Sequence, residues 1–172
     1  MRKKLTTLSV AAGLITTSVI ALAPAAAATS DDSGRSVPVA ADHEVTCSAG
    51  GATGTARVTV ERVGGPSTGY QHRATVRQYK IEHPGETGRN ANVDLGLVGD
   101  WGSGPGGTLT WWKSRDEMIQ DGQWHDNLTL AGPLVGSIPG PTGRTITTSV
   151  KFVFDKADAS DPDCTASFRT VH

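Results

Sequence analysis

Trp101, Trp111, Trp112 and Trp124, the only four tryptophans of the chain, all fall between positions 101 and 124. An indole offers a broad flat apolar face beside a polar N–H, which suits stacking on a sugar ring or anchoring a protein partner. Trp111 and Trp112 are adjacent, so on a strand they point to opposite sides of the sheet. One of them fills a core and the other is displayed, and Trp112 is assigned to the displayed side. Trp101 stands in a run of glycines where burial is hard to arrange. The structural alternative keeps Trp111 and Trp124 as core residues, as buried tryptophans commonly are in β-sandwiches.

Acidic and imidazole groups surround these rings. His125 and Asp126 follow Trp124 directly, and Asp100, Asp116, Glu117 and Asp121 lie close by in sequence. Two carboxylates can divide the acid and base roles of glycoside hydrolysis, provided that the fold sets their separation. On a strand, His125 and Asp126 would face opposite ways, which works against a dyad between them. Gly65-Pro66-Ser67-Thr68-Gly69 has the letters of Gly-x-Ser-x-Gly, but it stands in a turn followed by a strand-like segment rather than a helix and is not read as a nucleophile elbow, and no His-Glu-x-x-His motif occurs. No catalytic residue is assigned. The candidate binding set is Trp101, Trp112 and Trp124, with Asp100 and Asp126 as polar companions.

Asp155, Asp158, Asp161 and Asp163 crowd one stretch before Cys164. Calcium takes several oxygen ligands, but this spacing lacks the central glycine and terminal glutamate of an EF-hand loop. Asp161-Pro162 more simply starts a turn, so neither a metal nor a cofactor is expected. Asn127-Leu128-Thr129 matches a three-residue glycosylation sequon.

The elements that must hold these side chains begin with a leader. Arg2, Lys3 and Lys4 precede an apolar run over residues 5–22, then Pro24 and the alanines of 25–28. That order is the pattern of a secretory signal peptide cleaved after Ala28. A retained transmembrane anchor is the alternative, since the run could just span a bilayer, but it is poor in bulky residues and ends at a cleavage site. The expectation is a secreted, extracellular protein with no membrane attachment after cleavage. The leader carries three of the 16 basic residues and none of the 17 acidic ones, so formal charge moves from −1 to −4 on its removal. Such a chain lacks the positive field that would gather nucleic acid or an anionic membrane surface.

Residues 29–42 are small and polar with one proline, a composition that reads as a flexible tail. Residues 43–172 then form one domain. Cys47 and Cys164 stand near its two ends, and in an exported chain the default for two cysteines is a disulfide. Bonded sulfurs leave no thiol nucleophile.

Within the domain, apolar residues alternate along short segments separated by Gly, Pro and Asp turns. The segment 70–82 changes parity, with Ala74 and Val76 on one side and Tyr79 and Ile81 on the other, which predicts a β-bulge at Arg77–Gln78. Ser114-Arg115-Asp116-Glu117 fits a capping box and predicts a short helical turn ending at Gly122, a hairpin through Asp121-Gly122 being the competing reading. A strand is expected over 124–130. Val45 and Cys47 share one parity, as do Cys164, Ala166 and Phe168, which turns both sulfurs inward.

About eight short strands predict an all-β fold: an antiparallel two-sheet sandwich, Ig-like in its Greek key, with a small β-barrel as the alternative. The functional expectation is a non-enzymatic extracellular binding or structural module for an unknown ligand, glycan or protein. The alternatives are a carbohydrate-binding module using exposed tryptophans and a small extracellular hydrolase with paired carboxylates.

Overall fold

The computed structural model describes residues 40–85, 88–100, 107, 109–129, 132–140, 143–157 and 160–171. The leader and nearly all of the polar stretch after it, with the export expectation they carry, lie outside the described residues.

The described residues form eight strands: β1 (Ala41–Ala49), β2 (Ala52–Gly65), β3 (Gly69–Glu82), β4 (Asn92–Gly99), β5 (Thr110–Trp112), β6 (Leu134–Pro139), β7 (Thr145–Val153) and β8 (Asp163–Val171). They form two antiparallel sheets, in the orders β1-β2-β3-β6 and β5-β4-β7-β8. The sheets pack face to face as a sandwich. Among the described residues there is no helix.

The alternating pattern builds the core directly. Ala56, Val58 and Val60 of β2, Ala74 and Val76 of β3, Val93, Leu95 and Leu97 of β4, and Val150 and Phe152 of β7 are all buried between the layers. Full burial of each larger aliphatic or aromatic side chain is worth about 1.5–3 kcal/mol. Gly50 and Gly51 close the β1–β2 hairpin, both with positive φ (61° and 87°), the backbone that a two-residue turn between twisted strands requires.

The bulge falls where the parity slip put it. Arg57 pairs with Gln78 and Val58 with Val76, which leaves Arg77 as the extra residue of β3. It restores Tyr79 and Ile81 to the inner face, where both are buried. The disulfide also forms as expected. Cys47 on β1 and Cys164 on β8 are bonded with their Cα atoms 6.0 Å apart, clamping the edge strands of the two sheets across the sandwich.

Three local expectations are corrected. An Ig order sends the third strand to the opposite sheet, whereas β3 stays beside β2 as the third strand of a meander, and the first crossing is from β3 to β4. The capping-box segment is not helical. Met118 instead exchanges backbone hydrogen bonds with Ala91 (3.0 and 3.3 Å), and the Gln120 N–H reaches the Gly88 carbonyl (3.2 Å). Distant partners thus satisfy the backbone groups that a helix would have paired locally. The expected strand at 124–130 is reduced to single bridges, His125 with Tyr79 and Thr129 with Gly132. Its neighbour β3 is already covered by β6 along Gln71–Val76. Only the stretch past the bulge remains open, and there Gly122 bonds Ile81 and His125 bonds Tyr79.

The segment 118–125 therefore crosses one end of the sandwich, tied to the start of β4 at one side and to β3 at the other. Buried Gln120 locks it from beneath. Its Nε2 donates to the Asp155 carbonyl (2.8 Å), and its Oε1 accepts from the Asp155 N–H (3.0 Å).

Candidate functional site

The crossing segment roofs a cleft of about 450 Å³ at that end of the sandwich, within the size range of small-ligand sites. Its floor is Tyr79, inward-facing because of the Arg77 bulge. The Tyr79 hydroxyl accepts the Ile119 N–H (2.9 Å), and its ring stacks against the His125 imidazole with centroids 5.3 Å apart. Burial pushes the Tyr79 phenol above its ordinary pKa, opposed by the Ile119 hydrogen bond.

His125 is aimed by Asp121. The imidazole Nε2–H donates to Asp121 Oδ1 at 2.9 Å, and the same oxygen accepts the Gln123 N–H at 2.8 Å. These two bonds, the imidazole's first, hold the Asp121 carboxyl below the usual carboxylate range. The pair closes a turn at the margin of the cleft, which His125 lines. Around it stand Arg89, Arg115, Glu117 and Asp126 as charged groups and Asn90 and Asn127 as amides. Arg115 lies 3.3 Å from Glu117. The lining thus mixes both signs of charge and includes donors that serve as acceptors too.

Among the described residues that line the cleft there is no serine or cysteine, and the Thr129 hydroxyl donates to the Gly132 carbonyl (2.7 Å). Among the described residues, no three His, Cys, Asp or Glu side chains group as metal ligands.

The four described residues of the expected binding set, Trp112, Trp124, Asp100 and Asp126, are not assembled into one site. Trp112 points inward: it pairs with the inner-facing Leu95, packs against the core, and lies over Gly136 of the opposite sheet. Its neighbour Trp111 takes the outer face, opposite Gly96. The inner and outer roles of the pair are thus the reverse of those assigned from sequence. Trp124 sits under the Arg57 guanidinium, 4.1 Å from ring centroid to Cζ, with Lys80 Nζ at 5.8 Å. It covers the outer face of the first sheet and does not line the cleft. Asp100 is exposed beyond β4, where its N–H donates to the Thr145 carbonyl (2.9 Å). Trp101 lies outside the described residues. Of the four described residues of the set, only Asp126 lines the cleft.

Sequence reasoning missed Tyr79, Arg89, Asn90 and Arg115. The parity slip at Arg77 was the one signal that pointed to Tyr79 as inward. The others come from loops whose approach depends on the Ala91–Met118 bridge, a contact without a sequence pattern.

Comparison of the chain with protein-family models, curated proteins and solved structures gives no match to any of them.

Proposed function

We propose that this protein is exported and works outside the cell as a non-enzymatic binding module, taking a small zwitterionic ligand or the end of a peptide in the cleft above Tyr79. The leader pattern at residues 1–28 and the disulfide, which fits an oxidising compartment, support the extracellular part of the reading. The observation that carries the ligand class is the lining itself. Arg89 and Arg115 can receive a carboxylate, Glu117 and Asp126 an ammonium group, and Asn90 and Asn127 the amide between them. Arg115 and Glu117 already face each other, so a ligand of one sign would leave Arg89 or Asp126 opposed, whereas a zwitterion satisfies both.

Calorimetric titration tests this with tripeptides of apolar, polar and charged side chains, free and with both ends blocked. The reading predicts binding of free tripeptides, weakened about tenfold or more by blocking and by Arg89→Ala or Asp126→Ala. Failure of every free tripeptide to bind, or equal binding of blocked ones, overturns the ligand assignment.

A further inference from the structure

The outer face of the second sheet carries an arrangement that the cleft does not use. Trp111 on the edge strand β5 pairs with Gly96 of β4, and the next residues in the same row are Ser149 of β7 and Ser167 of β8. A Cβ built on Gly96 would meet three atoms of the indole six-membered ring, Cζ3, Cε3 and Cη2, at 2.9, 3.0 and 3.0 Å. Near-equal distances to three ring atoms mean that the ring lies flat on the sheet. One indole face covers Gly96, which is buried, while Trp111 itself is only partly buried. The ring is therefore a plane set flush with the sheet.

Beside that plane runs a polar strip. Ser149 and Ser167 share a hydrogen bond between their hydroxyls (2.8 Å). One row away on the same face, Asp94 of β4 stands opposite Lys151 of β7, whose ammonium meets the Asp163 carboxylate of β8. Burial raises the Asp94 carboxyl, opposed by the Ser114 N–H and by Lys113 and Lys151.

We infer that Trp111, Ser149, Ser167, Asp94 and Lys151 form a second binding site, for a β-linked polysaccharide of pyranose rings with equatorial hydroxyls. Such a ring has a flat face of axial C–H groups, which stacks on an indole plane, and a rim of hydroxyls, which needs donors and acceptors in the same plane. The flush indole selects this ligand over a protein partner. A protein anchor is a side chain that enters a pocket, and here neither a protruding ring nor a pocket is offered. From the indole over β4 to Ser167 on β8 is two strand spacings, about 10 Å, the length of about two pyranose rings. This site does not depend on the cleft or on its ligand.

Trp111 also shields the Gly96 backbone, so its removal alone would not separate binding from folding. The test is therefore an amide and indole NMR titration of the mature protein with cellopentaose and chitopentaose, repeated on three variants. The expected result is movement of the Trp111 indole N–H and of the Ser149 and Ser167 amides with at least one of the two sugars. Trp111→Leu, which keeps an apolar cover on Gly96, should weaken that binding about tenfold or more. Lys151→Ala and Ser167→Ala, both at partly or fully exposed positions, should weaken it several-fold with an unchanged spectrum of the free protein. Two outcomes overturn the inference: no shift with either sugar at millimolar concentration, or shifts confined to His125, Asn127 and their neighbours. The second would assign the sugar to the cleft. Undiminished binding by Trp111→Leu would overturn it as well.

Discussion

Trp111 lies directly across from Gly96, with its six-membered ring occupying the place where a side chain would begin. The relationship recurs twice in the fold. Phe152 fills the space over Gly54, its Cγ 2.3 Å from where a Cβ would stand, and Trp112 fills that over Gly136, with Cε3 at 2.6 Å. Each glycine is a seat for a ring. Adding a methyl group should therefore destabilise in proportion to how firmly the ring is held. Phe152 is fully buried between the sheets, so Gly54→Ala is expected to cost about 3 kcal/mol. Trp111 is only partly buried, so Gly96→Ala is expected to cost about 1 kcal/mol. Urea midpoints of the two variants check this order.

Gln120 imitates a strand partner for Asp155 by giving both a donor and an acceptor to one residue's backbone. Gln120→Leu conserves bulk but leaves that N–H and carbonyl unpaired in a part-buried place. A loss of about 2–3 kcal/mol is expected. Because Gln120 anchors the roof of the cleft, hydrogen exchange at Met118 and Ile119 should accelerate by more than at β7.

His43 of β1 stacks on Phe168 of β8, with ring centroids 4.0 Å apart. Burial lowers its pKa from the ordinary 6.5, opposed by Asp42. As pH falls below 6.5 the unfolded chain takes up a proton that the folded chain resists, so the stability present above that pH is progressively lost. Between about pH 7.5 and pH 5 the urea midpoint of the native protein should fall further than that of His43→Phe, which keeps the stack and does not titrate.

The Cys47–Cys164 bond joins positions separated by 117 residues. Closing so long a loop restricts the unfolded chain by about 4–5 kcal/mol in the chain-entropy description. The double variant Cys47→Ser/Cys164→Ser should lose stability of that order, and a reductant should lower the urea midpoint of the native protein while leaving that of the variant unchanged.

What could be read from the sequence was whatever depends on a residue's own period and neighbours. The inward turn of Cys47 and Cys164 followed from parity with Val45 and Ala166. The bulge at Arg77 followed from the mismatch between Val76 and Tyr79. Parity also required Trp111 and Trp112 to part company, but it could not say which went inward. That was decided by register: pairing of Trp112 with Leu95 and of Trp111 with Gly96. The cleft was still less legible. Ser114–Glu117 carries a helical signature, yet Ala91 and Gly88, remote in sequence, take up the backbone groups that follow it. Arg89 and Asp126 both line the cleft, brought there by these contacts together with the His125–Tyr79 bridge.

The claim on which the account most depends is that the cleft above Tyr79 receives a ligand with both a carboxylate and an ammonium end. NMR chemical-shift mapping with unblocked tripeptides reads it most directly. The account predicts saturable movement of the His125 ring and of the Arg89, Asn90 and Asn127 amides, with β1 and β8 unmoved. A titration in which these signals stay still for every peptide, or in which the moving residues lie on the outer faces of the sheets, would contradict it.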